Sequence, residues 1–147
     1  MSSEASAAPA VQGAHTVFLV TNFWESMSAD KEIAQGKAVT DASKASGVQR
    51  MIFSSLINVT EASRGKLPHV SHFDGKANIE KYIRDSGVPA AFVLPGFFMS
   101  NLVDSIKKNE DGSFAYALPV SGDKARIPLF DAAADTGQCN VSIPVPA

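Results

Sequence analysis

Met51-Ile52-Phe53-Ser54-Ser55 and, further on, His72-Phe73-Asp74-Gly75-Lys76 decide the fold class of this chain. The first stretch is a short apolar run closed by two serines. The second opens a segment in which Phe73, Ala77, Ile79, Tyr82 and Ile83 recur at helical spacing, so a helix is expected over 71–86. Gly87 and Pro89 end it. Apolar runs like the first lie on both sides: Val17-Phe18-Leu19-Val20 before it and Ala90-Ala91-Phe92-Val93-Leu94 after it. Continuous runs this short read as strands buried on both faces. Between the first two, Ser28 can cap a helix with Asp30 and Glu32 in its first turn. Ile33, Val39, Ala42 and Ala45 give that helix its apolar side, and Gly47 ends it. Strand, helix, strand, helix, strand at this spacing implies right-handed crossovers and a parallel sheet. The expected class is α/β, a doubly wound parallel sheet of three core strands with flanking helices, in three layers.

Outward from this centre the pattern weakens. Residues 1–15 are rich in Ala and Ser with no sustained period, and are expected to be a flexible lead-in. Thr21-Asn22-Phe23-Trp24 reads as a loop. The connection over 55–71 is long for a compact domain, which marks it as a candidate functional loop. After Asn101 a short helix is expected to reach Lys108, and Asn109-Glu110-Asp111-Gly112 is a turn. Two small strands are expected over 114–118 and 126–130. Asp131 can cap a helix that reaches Gly137, and 138–147 reads as an irregular tail. One domain over 16–137 accounts for the rest.

The chain has 147 residues, enough for one domain with a real core. A net charge of −2 leaves no electrostatic footprint for nucleic acid. Cys139 is the sole cysteine, so neither an internal disulfide nor a cysteine metal site is expected. A reducing compartment fits, cytoplasmic or nuclear. The apolar runs are far short of a membrane span, and no signal-peptide pattern is evident.

The chemistry centres on His72 and Lys76, four apart and therefore on one helix face. A strand ending in Ser, then a helix carrying a proton donor four residues before a Lys, is the layout of a reductase site. In a reductase of that type the Lys bonds the nicotinamide ribose and tunes the donor, and the Ser holds the substrate carbonyl; these roles would fall to Lys76, to Ser54 or Ser55 and to His72, although spacing alone does not imply hydride transfer. Imidazole can give up a proton near neutrality, with a reference pKa of about 6.5, but its shape differs from a phenol. The plain alternative makes His72 a surface residue at a helix start and Lys76 a solvated charge. Asp41 and Asp74 read as solvated helix charges.

Thr21-Asn22-Phe23-Trp24-Glu25, Gln35-Gly36-Lys37, Phe53-Ser54-Ser55-Leu56, His72-Phe73-Asp74-Gly75-Lys76, Gly87-Val88-Pro89 and Leu94-Pro95-Gly96-Phe97-Phe98 occur in one order at one spacing. Together they resemble the NmrA-like family over about residues 14–137. This is the atypical branch of short-chain dehydrogenases that includes fungal nitrogen-repression regulators and NADPH sensors. The resemblance implies a partial Rossmann-like fold and an NADP or NAD cofactor. By that resemblance Thr21, Asn22, Trp24, Glu25 and Ser26 lie beside the cofactor's ribose and pyrophosphate. Lys76 touches the nicotinamide ribose, and Phe97, Phe98 and Asn101 form a loop closing over the nicotinamide end. His72 stands where reductases carry a catalytic Tyr, and members with that change resemble cofactor-binding regulators. A transcription factor or other protein is the partner class implied. Each role has a plainer alternative: Trp24, Phe97 and Phe98 as core or rim aromatics, Asn22 as a turn cap, Ser54 and Ser55 as partners of strand-end backbone.

Two departures shape the functional expectation. The family's Gly-x-x-Gly-x-x-Gly turn, which holds the pyrophosphate on backbone N–H groups, has no counterpart; Gly13 stands alone before the first strand. The strands that select the adenosine ribose are missing too, and 138–147 resembles nothing in the family. The chain therefore reads as a shortened NmrA-like redox sensor with weak dinucleotide binding and no dehydrogenase activity. The alternatives are an NAD(P)-dependent oxidoreductase of the short-chain type and a non-catalytic interaction module. A strand 17–20 without its outer neighbours is expected to favour self-association through the sheet edge.

Overall fold

The computed structural model describes residues 3–117, 120–121 and 123–142. They fall into two compact units, 3–94 and 95–142.

The first unit runs α1 (Glu4–Val11), β1 (Thr16–Leu19), α2 (Phe23–Ser26), α3 (Ala29–Ala45), β2 (Arg50–Ser54), α4 (Val59–Ala62), α5 (Ser71–Ser86) and β3 (Ala90–Val93). The three strands pair in parallel in the order β1-β2-β3. Their register aligns Val17 with Met51 and Met51 with Ala90, and Leu19 with Phe53 and Phe53 with Phe92. Side chains alternate along a strand, so these six residues share one face of the sheet, and all of them belong to or pack on one apolar core. Ala7 and Val11 of α1, Val39 and Ala42 of α3, Ile79 and Ile83 of α5, and Val88 before β3 complete its buried cluster. The expected parallel α/β sheet with its flanking helices is what forms. The three helices that enter the core share one face of the sheet; on the other, Ile52 and Ala91 are buried and Phe18 is 45% exposed.

The caps fall where the sequence puts them. The Ser28 hydroxyl accepts from the Lys31 amide at 3.4 Å and opens α3. Gly47 (φ +69°) follows α3, and Gly87 (φ +77°) ends α5 in the left-handed region that suits glycine. Val39 and Ala42 are buried and Ile33 packs on the core as expected, whereas Ala45 is exposed and Ala38 is buried instead.

Three local expectations are corrected. Residues 4–11 of the expected flexible lead-in form α1. Its capping box pairs the Ser3 and Ser6 side chains with each other's amides, and burial of Ala7 and Val11 holds it to the core. Alanine marks no polar or apolar face, which is why no period shows. The Thr21–Trp24 loop closes into α2. The long connection contains α4, whose first turn is anchored by Asp74 from α5.

The second unit comprises β4 (Phe97–Phe98), α6 (Ser100–Ser105), β5 (Ile106–Lys108), β6 (Phe114–Tyr116), β7 (Leu129–Phe130) and α7 (Ala132–Ser142). β4 pairs in parallel with β7, and β5 with β6 antiparallel. The helix expected to reach Lys108 stops at Ser105, because 106–108 pairs across the expected turn with 114–116. That turn is closed by the Asn109 amide donating to the Ser113 carbonyl at 2.8 Å. Phe97 and Phe98 form a strand and Asn101 lies in α6, so the expected closing loop is regular structure. Asp131 does cap α7: its Oδ1 accepts from the amides of Ala133 and Ala134 at 2.9 and 3.1 Å. The helix continues past Gly137 to Ser142, so 138–142 is not an irregular tail. Residue 118 of an expected strand and 143–147 of the expected tail lie outside the described residues.

Candidate functional site

In a parallel sheet the carboxyl ends of the strands are where crossover loops leave and where ligands gather. Thr21 follows β1 there, and Ser54 and Ser55 close β2. The α5 helix carries His72 as its second residue and presents Lys76 one turn later.

Lys76 reaches back to the β1 turn. Its Nζ lies 2.6 Å from the Thr21 carbonyl oxygen, 2.9 Å from Thr21 Oγ1 and 2.7 Å from Glu32 Oε1. An ammonium has three donors, and three acceptors of the protein surround this one. The Thr21 hydroxyl, while accepting from Lys76, donates to Glu32 Oε1 at 2.7 Å. Glu32 is fully buried and the Lys76 side chain only 14% exposed. Among the described residues Glu32 Oε2 has no hydrogen-bond partner; a methyl group at Gly75 would stand 3.1 Å from it. A buried carboxylate is tolerated when it is paired, and here the pair ties α3, α5 and the β1 turn together.

Glu32 is the residue sequence reasoning missed. An acidic residue in a helix's first turn is ordinarily solvated and favoured by the helix dipole. The available signal was the pair of mid-helix glycines, Gly36 and Gly75. Glycine costs a helix interior about 1 kcal/mol relative to Ala, so its presence marks close packing. Gly36 admits Ile79 of α5, and Gly75 lies against Glu32.

The other expected residues divide clearly. Asn22 is exposed, and its Oδ1 accepts from the Trp24 amide at 3.1 Å as the cap of α2. The His72 ring lies 5.1 Å from Trp24, 5.7 Å from Phe23 and 4.9 Å from Phe73, at tilted or edge-on angles that aromatic rings favour. Trp24 is nonetheless 63% exposed. Glu25 is exposed and Ser26 half-buried. Ser55 is fully buried and contacts the Leu56 carbonyl at 3.4 Å, a weak bond. Among the described residues no hydrogen bond joins Ser54 or Ser55 to His72 or Lys76. Phe97, Phe98 and Asn101 belong to the second unit, where Phe98 stacks on Phe130 at 5.9 Å and the Asn101 carbonyl accepts from Ser105 Oγ.

Two carboxylates expected to be solvated are partnered instead. Asp74 Oδ1 accepts from the amides of Val59 and Thr60 at 2.8 and 3.2 Å, and Oδ2 from the Thr60 hydroxyl at 2.5 Å. The Thr60 hydroxyl does most to hold the Asp74 carboxyl below its ordinary value. Partial burial opposes this, and the two amides and nearby His72 reinforce it. Asp41 accepts from the Tyr82 hydroxyl at 2.7 Å, and that bond with burial raises the Tyr82 pKa. A groove lined by Leu56, Ile57, Glu61, Arg84 and Leu94 is separate from the Lys76 cluster.

Comparison with known proteins gives this geometry its context. The NmrA-like family matches residues 1–144. The chain belongs to the NmrA-like family. The nitrogen metabolite repression protein nmrA of Emericella nidulans is 31% identical over 139 residues, 90% of this chain and 38% of that protein. The structure of NmrA, a negative transcriptional regulator, in complex with NAD superimposes with a TM-score of 0.80 at 28% identity, over 94% of this chain and 43% of the other. Its complex with NADP gives 0.76 at 27% identity, over the same shares. The chain thus spans well under half the length of the relatives it matches. The family includes NAD(P)-binding regulators and oxidoreductases.

The strand ends of the first unit fit such a dinucleotide in part. Trp24, 63% exposed beside His72, offers aromatic surface at these strand ends. The Lys76 ammonium already meets three protein acceptors, and the sequence before β1 has no glycine-rich turn for a pyrophosphate. Among the described residues no helix is long and apolar enough to cross a membrane, and no cluster of His, Cys, Asp and Glu suits a metal.

Proposed function

We propose that this NmrA-like chain is a dinucleotide-responsive regulatory module, a redox sensor in type, that binds NADP or NAD weakly by itself and carries out no dehydrogenation. The observation that carries this reading is the state of the His72–Lys76 pair. Reductase chemistry of this layout needs an acid free to meet a carbonyl and a Lys free to bond the ribose. Here His72 is packed among Phe23, Trp24 and Phe73, and Lys76 is taken up by Thr21 and Glu32. The likeness to the NAD- and NADP-bound regulator supports the cofactor class. A regulatory role through a protein partner, a transcription factor by analogy with that regulator, follows the same support.

The weak binding follows from charge. Each charge-assisted hydrogen bond to a phosphate contributes about 1.5–3 kcal/mol, and every 1.4 kcal/mol is roughly tenfold in affinity. Without a phosphate-binding turn, this chain alone should bind in the millimolar range or weaker. Calorimetry with NADP and NADPH tests it. A micromolar isotherm would refute weak binding, and steady hydride transfer to a carbonyl substrate would refute the regulatory reading.

A further inference from the structure

Glu32 is the one charged side chain that is fully buried among the described residues, and the reductase layout has no role for it. We propose that Glu32 is a positioning residue: it commits the Lys76 ammonium to the Thr21 turn, and through that turn holds Trp24 against His72. The group that meets a flat aromatic ring at these strand ends is then the Trp24–His72 pair, with Lys76 acting behind it. The ligand side of this inference rests on the dinucleotide reading; the positioning side does not.

The argument starts at α2. This helix has four residues and buries none of them, so its place is set by its ends. At one end stands Thr21, buried and bonded through both its carbonyl and its hydroxyl. At the other, Met27 turns the chain at φ +53° into the Ser28 cap of α3. The α5 helix grips the segment twice: Lys76 holds Thr21, and His72, one turn earlier, lies against Trp24. Glu32 is what keeps Lys76 there. The ammonium would otherwise reach toward water, as Lys ordinarily does. The carboxylate itself has little room to swing, because Oε2 lies against Gly75 and the Gly75 position also abuts Ala29. With all three donors of Lys76 aimed at protein, a ligand hydroxyl gains a bond to it only by displacing Thr21 or Glu32.

Trp24 is the only tryptophan, so its emission reports this turn alone. The test compares steady-state anisotropy and acrylamide quenching of Trp24 in the parent chain, Glu32→Gln, Lys76→Met and the double variant, each checked for folding by far-UV circular dichroism. Each single change should lower the anisotropy and raise the quenching. The double change should do no more than either single one, because both act through one tie. Should a single variant strand a charge and fail to fold, the double variant, which removes both charges, still decides. A folded double variant with the parent's anisotropy and quenching overturns the inference, since a role confined to global stability would leave a folded protein's Trp24 unmoved. NADP titration of the same emission separates the two readings. No response in the parent refutes the dinucleotide reading and leaves the positioning result standing. A response in the parent that the double variant retains unchanged overturns the positioning of the ring pair.

Discussion

Residues 3–94 and 95–142 both carry abundant hydrophobic side chains, and they place them differently. In the first unit Met51, Phe53, Ile79 and Ile83 are fully buried. In the second no described side chain is fully buried, and Val103, Phe114 and Leu129 are 78%, 70% and 52% exposed. The difference lies in pattern. Strands of four or five residues alternate with helices of sixteen or seventeen in the first unit, long enough to cover the sheet. The described residues of the second unit form strands of two and three residues and no helix longer than eleven. Buried area, and with it stability, follows regular elements that can face one another.

The largest test of this contrast is a matched pair of truncations. Phe53→Ala should cost about 3–5 kcal/mol in urea unfolding, whereas Phe114→Ala should stay within about 0.5 kcal/mol. Equal effects would break the distinction between the units.

Glu32→Ala should come next. It leaves the Lys76 ammonium in a largely buried site without its counter-charge, at a cost of about 3–5 kcal/mol. Adding Lys76→Met should recover much of that. Its counterpart in the second unit is Asp111, exposed and bonded among the described residues to Ser113 alone; Asp111→Ala should leave the unfolding midpoint in place.

Glycine sharpens the comparison, because the sign should reverse. A methyl group at Gly36 would fall 2.6 Å from Ile79 Cγ2, so Gly36→Ala should destabilise by about 1–3 kcal/mol. Gly137, in α7, has nothing within 4 Å of the added carbon, and Gly137→Ala should stabilise its helix by about 0.5–1 kcal/mol. Thermal melts of both variants check this.

The smallest expected effect is a pH dependence. Folding depresses the Asp74 pKa below its ordinary value of 3.8. Its bonds to Val59 and Thr60 therefore contribute stability that is present above pH 3.8 and is lost as pH falls through the lower folded value. The urea midpoint should decline over that acid window in the parent chain, and Asp74→Asn should flatten its share of the decline.

Much of the fold was legible because its signals are local. Three continuous apolar runs, the Ser28 cap and the glycines after α3 and α5 each act within a few residues, and each is found where expected. α1 was hidden because alanine marks no face, and β5 because a strand of three residues is defined by its partner across a turn. The site was legible as an address and less so as a geometry. Position 72 and position 76 share a helix face by spacing alone, and both stand at the strand ends. That Lys76 turns inward to Glu32, forty-four residues earlier, is a long-range pairing that no window of sequence contains. Asp74 and Asp41 misled for the same reason: a charged residue in a helix is solvated by default, and only a neighbour from another element makes it a cap or an acceptor.

The sequence by itself determined the order and kind of the core elements β1, α3, β2, α5 and β3, their parallel sheet and the NmrA-like membership, because periodicity, caps and ordered motifs are written in neighbouring residues. The tertiary structure alone decided which polar groups are buried together. Pairing Glu32 with Lys76, and Trp24 with His72, depends on helices packed at close range, and that distance is set by Gly36 and Gly75 pressed against side chains of another helix.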